Sequence, residues 1–187
     1  NTVSYSFISI LIRITIKMRT KRAVSSDKQK KHMMEVKMKI EEKLKNAGYV
    51  LPETRRPEGV YTLARRVGNM LYIAGQTSDI NGVPEIAGVV GKDLTIEDGK
   101  RAAAISALNV LSVIKAELGD LDHVKQFVQI IGFVRCADDC ADYTQAIDGA
   151  CELFYALYDE AGLAARMAIG AKELPGGCAT EIMVTVE

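Results

Sequence analysis

One long amphipathic helix is the feature that most limits what this sequence can fold into. Thr95 is followed three residues later by Asp98, a variant of the capping box that starts helices. Apolar residues then recur at helical spacing, and Gly119 is a typical helix stop. These apolar residues are Ile105, Leu108, Leu111, Ile114 and Leu118. The pattern predicts a helix over residues 96–118.

Segments typical of strands lie on both sides of this helix. Before it, residues 60–67 and 70–74 predict two strands joined by the tight turn Gly68-Asn69, and Asn81-Gly82 indicates a further turn. After it, residues 124–134 are rich in β-branched and aromatic side chains and lack helical periodicity. They predict a long strand.

The rest of the chain continues the alternation of helix and strand. Residues 142–159 predict a second helix, and residues 165–171 and 180–187 predict two final strands. Leu174-Pro175-Gly176-Gly177 separates these strands and predicts a turn, so that they would pair as a hairpin. The order of elements predicts an α+β fold with two helices packed on one face of a mixed β-sheet.

Charge divides the chain near the start of this pattern. The 24 basic and 24 acidic residues cancel overall, but residues 1–45 hold 12 basic and 4 acidic side chains, a net charge of +8, which leaves −8 for residues 46–187. A short amphipathic helix is predicted over residues 39–45. We therefore expect residues 1–38 to be a basic N-terminal extension and residues 39–187 to be a single domain.

The extension is open to several interpretations. Residues 1–34 contain eight basic residues, one acid and scattered Ser and Thr, which is typical of an organelle transit peptide. A disordered extension and an artefact of the start site are the alternatives. Nucleic acid is not an expected partner, because no aromatic side chain is interleaved with the lysines at 28–31 to stack on bases. We expect a cytoplasmic protein, or a mitochondrial or other organellar one if residues 1–34 are genuine.

Motifs for common cofactors and metals are missing from the sequence. It contains no GxGxxG, GxxxxGK[ST] or GxSxG pattern, and its two histidines, His32 and His123, match no metal-ligand spacing. No run approaches the roughly 20 apolar residues that cross a bilayer. We expect no cofactor, no metal and no membrane partner, and we expect the four cysteines to be free thiols.

Two charged residues lie on predicted strands that are otherwise apolar. Arg166 lies in the first of the two C-terminal strands, and Glu181 lies in the second. Burying either charge costs free energy unless it meets the other charge or a ligand. Spacing alone therefore leaves two possibilities open, a structural ion pair and a ligand site.

A set of short motifs resembles one known family in order and spacing. The motifs are Tyr61-x6-Gly68-Asn69-x4-Ala74-Gly75-Gln76, the long helix, Ala165-Arg166, Leu174-Pro175 and Glu181-Ile182. Together they resemble the Rid family of reactive intermediate deaminases, also called the YjgF or endoribonuclease L-PSP family. Ala107-Leu108-Asn109, Gly119-Asp120-Leu121 and Gly149-Ala150 resemble its longer branch. The resemblance covers about residues 40–187.

The resemblance implies both a fold and an activity. The fold is chorismate-mutase-like, and the expected assembly is a homotrimer with three ligand pockets at the subunit interfaces. Family members of the deaminase type hydrolyse enamines and imines, such as 2-aminoacrylate and 2-imino acids, to 2-oxo acids and ammonia without a cofactor. The expected partners are therefore a small 2-imino or 2-oxo acid and further copies of the same chain.

The resemblance also assigns roles to residues. The carboxylate-binding arginine of the family falls on Arg166, and its water-positioning glutamate falls on Glu181, fifteen residues later. The backbone carbonyl of Ala168 would help to hold the water, and Tyr61 is the pocket tyrosine. These roles are chemically sound, because a guanidinium matches a carboxylate bidentately and a glutamate can take a proton from an attacking water.

Three pocket positions differ from the deaminase pattern. Ala74 replaces the serine that precedes Gly75, Gly149 replaces an asparagine, and Ala168 replaces a cysteine. Small residues could make room for a larger ligand. The missing hydroxyl at Ala74 favours an alternative function, a non-catalytic module that binds small carboxylates or a partner protein. A third function, RNA cleavage with inhibition of translation, is disfavoured by the acidic domain and by the lack of a His or Lys acid/base pair.

Overall fold

The computed structural model describes residues 39–187, so the predictions made for residues 1–38 lie outside the described residues. Helix α1 (Ile40–Asn46) comes first, and strands β1 (Ala64–Val67) and β2 (Met70–Thr77) form an antiparallel hairpin. The predicted short helix and the Gly68-Asn69 turn are confirmed. The prediction of a strand from Val60 is wrong, because residues 60–63 leave the ladder and run beside a cleft instead.

The next elements are a small hairpin and the long helix. Strands β3 (Asp79–Ile80) and β4 (Val83–Pro84) meet at Asn81 and Gly82, whose φ angles of 53° and 85° are the left-handed values that such a turn requires. Helix α2 (Ile96–Leu118) has the predicted bounds. Its capping box is formed in both directions, since the Asp98 N–H donates to the Thr95 hydroxyl and the Thr95 N–H donates to the Asp98 carboxylate at 2.9 Å.

The second half of the chain contributes three strands and one helix. They are β5 (Phe127–Arg135), α3 (Asp148–Tyr158), β6 (Ala165–Ala171) and β7 (Thr180–Val186). The predicted second helix begins later than expected, because Tyr143–Ile147 form a tighter 3-10 helix before α3. The three predicted strands are confirmed, with ends within three residues of the structure.

The five long strands form one mixed sheet in the order β1-β2-β7-β5-β6. All neighbours are antiparallel except β5 and β6, which are parallel. The predicted pairing of the two C-terminal strands is wrong, because β6 and β7 both pair with β5 and not with each other. Helix α3 is the crossover that places β6 parallel to β5, and the following loop then carries the chain to the other edge of β5.

Both long helices cover one face of this sheet and bury its core. Core-facing side chains of β5 and β7, such as Ile130, Val134 and Ile182, are fully buried with Leu111 of α2 and Phe154 of α3. The α+β fold with helices on one face of a mixed sheet is therefore confirmed. No helix among residues 39–187 is both long and apolar enough to span a membrane.

The opposite face of the sheet is open and apolar. Tyr72, Met167, Ile169 and Met183 lie on this face, and their exposed fractions range from 37% to 50%. We call these four residues the open-face cluster. Exposed apolar residues grouped on one surface are typical of an interface with another protein chain.

Thr95→Ala should lower the free energy of unfolding by about 1 kcal/mol, because the N-terminus of α2 loses its hydroxyl acceptor. Urea denaturation followed by circular dichroism measures the change. Thr95→Ser, which keeps the hydroxyl, is the matched control and should remain close to the original protein. Equal stability of the Ala and Ser variants would show that the cap does not stabilise this helix.

Candidate active site

A cleft of about 160 Å³ lies between the segment 53–63, the end of β2 and helix α2. Tyr61, Gly75 and Glu181, three of the residues predicted to form the site, contribute to its wall. Asn109 of α2 lies in the same wall and donates hydrogen bonds to the backbone carbonyls of Thr77 and Asp79, at 3.0 and 2.7 Å. The long helix therefore holds the end of β2 in place beside the cleft.

Glu181 is the half-buried acid of this cleft. It lies on β7 and pairs in register with Thr77 of β2, just after an irregularity in the ladder between Ile73 and Gln76. Gly75 lies within this irregularity, and a Cβ atom there would collide with the Glu181 carboxylate. The close approach of the backbone to the carboxylate explains why glycine occupies position 75.

The Glu181 carboxylate makes no hydrogen bond or ion pair with any of the described residues. Burial alone raises its pKa above the ordinary value of a glutamate. A half-buried carboxylate without a partner costs folding free energy, and such groups are enriched at functional sites. Glu181 can therefore accept a proton more readily than an exposed glutamate can.

Arg166 has a partner within its own chain. Its Nη1 donates to the carboxylate of Asp148, the first residue of α3, and lies 3.8 Å from the Cys151 sulfur. The hydrogen bond to Asp148 is the main reason why the pKa of Arg166 is raised. Burial raises the pKa of the Cys151 thiol, and the nearby guanidinium opposes that rise.

The strand register separates Arg166 from Glu181. Arg166 pairs with Ile130 of β5, whose side chain lies in the core, whereas Glu181 pairs with Phe133, three residues further along β5. Side chains alternate between the faces of a sheet, so the two charged groups point to opposite faces. Because β6 and β7 lie on either side of β5, the two residues are separated by two strand spacings across the sheet and by three residues along the strands. Their Cα atoms are therefore about 14 Å apart. A structural ion pair between Arg166 and Glu181 is therefore not formed.

The remaining predicted site residues divide between these two places. Ala74 precedes Gly75 in β2, and its N–H donates to the Leu63 carbonyl at 2.8 Å beside the cleft. Ala168 lies on β6 in register with Gly132 and shares the helix-covered face with Arg166. The predicted residues thus fall into two separate groups in each chain, which we call half-sites. The Glu181 half-site comprises Tyr61, Ala74, Gly75 and Glu181, and the Arg166 half-site comprises Arg166 and Ala168 with Asp148.

Gly149, predicted to bind substrate, lies where α3 packs against α2. A Cβ atom on this residue would collide with the backbone carbonyl of Lys100 in α2. Gly149 thus allows the close approach of α2 and α3, and its neighbour Asp148 is the residue that reaches Arg166. Sequence reasoning missed the contact of Asp148 with Arg166. The one signal for it was that Asp148 is the neighbour of Gly149, the residue that aligns with the family asparagine.

Sequence reasoning also missed two arginines, Arg55 and Arg56, that line the cleft. Arg55 is paired with Asp79 at 3.2 Å and with Glu58. Its guanidinium is therefore already occupied by carboxylates. Arg56 is exposed and makes no ion pair within the described part of the chain.

One group of acidic side chains has the composition of a metal site. Carboxylate oxygens of Glu41, Asp120 and Asp122 lie within 4.8 Å of one another. Lys115 pairs with Glu41 at 2.7 Å and Lys39 pairs with Asp120 at 3.2 Å. The Ile40 N–H also donates to Asp122 at the start of α1. These contacts attach α1 to the end of α2 and the loop that follows it, and they explain why the three acidic side chains lie together.

The fold and the half-buried carboxylate define a small α+β domain with a cleft beside an acid that is unpaired among residues 39–187. Residues 41–184 match the family model described as "YjgF/chorismate_mutase-like, putative endoribonuclease". The chain belongs to this family, the Rid or YjgF family whose motifs the sequence resembles.

Individual relatives agree with this assignment. "Protein TCP17" of Trypanosoma cruzi is 34% identical over 147 residues, which are 77% of this chain and 91% of that protein. The crystal structure of Atu1372 from Agrobacterium tumefaciens, a protein with unknown function, is 34% identical, has a TM-score of 0.75 and covers 79% of this chain and 91% of that chain. A structure from Shewanella oneidensis MR-1, described as a putative endoribonuclease, is 28% identical with a TM-score of 0.77, over 80% of this chain and 99% of that chain.

Gly149→Ala should destabilise the protein by roughly 1–3 kcal/mol, because the new methyl group must separate α2 from α3. Urea denaturation measures the loss. Gly59→Ala is the control, since its Cβ would meet only the flexible Tyr61 side chain at 3.3 Å, and it should stay within about 0.5 kcal/mol. A fully stable Gly149→Ala variant would contradict the packing role.

Glu181→Gln should make the protein more stable than the original at pH 7. The raised pKa means that the folded state binds the Glu181 proton more tightly, so the charged side chain costs stability above this pKa. The difference between the two proteins should shrink as the pH falls through the raised pKa and vanish below about pH 4, where unfolded glutamate is also protonated. Thermal melting at fixed protein concentration from pH 4 to 8 measures it.

Glu160→Gln, at an exposed position, controls for the loss of a negative charge. Its stability difference from the original protein should be small at all of these pH values. If Glu181→Gln and Glu160→Gln behaved alike, burial would not be the cause of the Glu181 effect.

Proposed function

We propose that this protein is a cofactor-free hydrolase of small imines and enamines, which releases ammonia and a carbonyl product. The class of substrate that the family resemblance implies is the 2-imino acids and 2-aminoacrylate. The observation that carries the proposal is the Glu181 carboxylate, which is half-buried, unpaired among residues 39–187 and raised in pKa at the edge of a ligand-sized cleft. Such a group is suited to act as a general base on water.

Glu181 would orient a water molecule toward the imine carbon and accept one of its protons. The water oxygen forms a bond to that carbon, and the nitrogen takes up a proton, which gives a carbinolamine. This intermediate loses ammonia and becomes a ketone. Holding the water and the imine together in one cleft would supply much of the rate enhancement in a reaction of this type.

Arg166 would orient the group next to the imine carbon, but it cannot do so for the Glu181 of its own chain. The two side chains point to opposite faces of the sheet and are about 14 Å apart at their Cα atoms. We therefore propose that the Arg166 half-site of one copy meets the Glu181 half-site of another in a homotrimer. The open-face cluster supports this assembly, since its apolar side chains would be buried between the copies.

A second candidate is a binding module that has no turnover. Two observations favour it: Ala74 leaves the cleft without the family hydroxyl, and Arg166 is already paired with Asp148. Such a module would bind small 2-oxo compounds but release no ammonia from imines. The same assay therefore separates the two candidates.

The activity is tested with an imine that an amino acid oxidase generates in situ, by measuring the release of 2-oxo acid and ammonia. Arg166→Ala and Glu181→Gln should each lower the rate at least about 100-fold, because each removes one half of the site. Arg66→Ala is the matched control and should be as active as the original protein, because Arg66 is exposed and pairs with the core residue Leu71, on the face away from the open-face cluster. A rate that none of these substitutions changes would contradict the proposal.

Mixing the two inactive variants tests the shared site directly. When Arg166→Ala and Glu181→Gln chains are dissociated and reassembled in equal amounts, about a quarter of the interfaces pair an intact Arg166 with an intact Glu181 in a cyclic trimer. The mixture should regain about that share of activity. If the mixture stays inactive while its mass is that of a trimer, the two residues do not form one site between copies.

A further inference from the structure

We propose that Asp148 determines which ligands the Arg166 half-site accepts, and that the group it selects is an uncharged primary amide rather than a carboxylate. This inference rests on the proposed function and refines its substrate. The preferred substrates would be amides of 2-imino acids, with the 2-imino acids themselves as poorer substrates.

Asp148 is held firmly beside Arg166. It is the first residue of α3, which continues directly from the 3-10 helix Tyr143–Ile147, and it forms an ion pair with the Arg166 guanidinium. The next residue, Gly149, lies so close to the Lys100 carbonyl of α2 that a Cβ atom there would collide with it. A ligand would therefore meet the pair already formed, and not a free guanidinium.

The pair is electrically neutral as a unit. A ligand carboxylate at Arg166 would lie within a few ångströms of the Asp148 carboxylate, and like charges at that distance repel each other. The side chains of Arg166 and Asp148 are 32% and 36% exposed, so solvent screens this repulsion only in part. A carboxylate would gain little net attraction from this half-site, whereas an uncharged group would not be repelled.

The hydrogen-bonding pattern of the pair matches an amide. A guanidinium carries five N–H donors, and one Nη1 donor is used by Asp148, which leaves N–H groups for an incoming carbonyl oxygen. The second oxygen of Asp148 has no hydrogen-bond partner among residues 39–187 and can accept from an N–H. An amide offers a carbonyl acceptor and an N–H donor side by side, whereas a carboxylate offers only acceptors.

The chemistry at the imine carbon is the same for such a substrate. The water oxygen bonds to the imine carbon while one water proton passes through Glu181 to the nitrogen. The hydroxyl proton of the resulting carbinolamine then moves to the nitrogen as the C–N bond breaks and ammonia leaves. The products would be a 2-oxo amide and ammonia, and the terminal amide would stay intact because it is held at Arg166 and Asp148, away from Glu181.

Binding of 2-oxobutanamide and 2-oxobutanoate to the full chain tests the inference by calorimetry. The original protein should bind the amide at least about tenfold more tightly than the carboxylate. Asp148→Asn removes the negative charge but keeps the shape, and it should move this ratio at least about tenfold toward the carboxylate. Glu152→Gln, one turn further along α3 and paired with Lys100, should keep the original ratio.

Several outcomes would overturn the inference. They are tighter binding of the carboxylate by the original protein, no binding of either ligand, and a ratio that Asp148→Asn leaves unchanged. The comparison of the two ligands on the original protein needs no variant, so it stands even if Asp148→Asn fails to fold.

The binding result is distinct from the proposed function. If the amide preference shifts in Asp148→Asn but the protein releases no ammonia from either class of imine, the ligand selection by Asp148 holds, whereas the hydrolase proposal and the substrates assigned from it fail. If 2-imino acids are hydrolysed efficiently and Asp148→Asn leaves the ligand ratio unchanged, the hydrolase proposal holds and the inference fails.

Discussion

The parallel pairing of β5 with β6 is the constraint on which the rest of this structure depends. A parallel neighbour can be reached only through a crossover, and here α3 supplies it. After the crossover, β6 pairs with one edge of β5, and the other edge of β5 pairs with β7. As a consequence, Arg166 and Glu181 lie two strands apart on opposite faces, and each chain carries two separate half-sites.

The sequence predicts local structure well and strand pairing poorly. The bounds of α2 follow from Thr95, Asp98 and Gly119, residues that act within one turn of the helix ends. The pairing of β6 depends on contacts with β5, more than thirty residues earlier, and a turn signal at Pro175 cannot report it. A turn between two strands shows where the chain changes direction but not which strand becomes the neighbour.

The candidate site was predictable to a similar extent. The family resemblance and the spacing of the charged residues identified Glu181, Tyr61 and Gly75, which the structure places along one cleft. The partner of Arg166 was not predictable, because it depends on how closely α2 approaches α3 at Gly149. That approach turns Asp148 toward β6, and neither residue type nor periodicity encodes a side-chain direction of this kind.

The two half-sites differ in how their charges are compensated, and this difference determines what they can do together. Glu181 has no partner among the described residues. Burial disfavours its charged form and so raises its pKa, which makes the carboxylate a better proton acceptor. Arg166 keeps its positive charge and its geometry as a donor, but Asp148 makes the pair neutral as a unit. If the two half-sites meet as we propose, the site would combine this acid, unpaired in the described part of the chain, with a neutral Arg166–Asp148 pair, and it would suit chemistry on an uncharged ligand better than the capture of an anion.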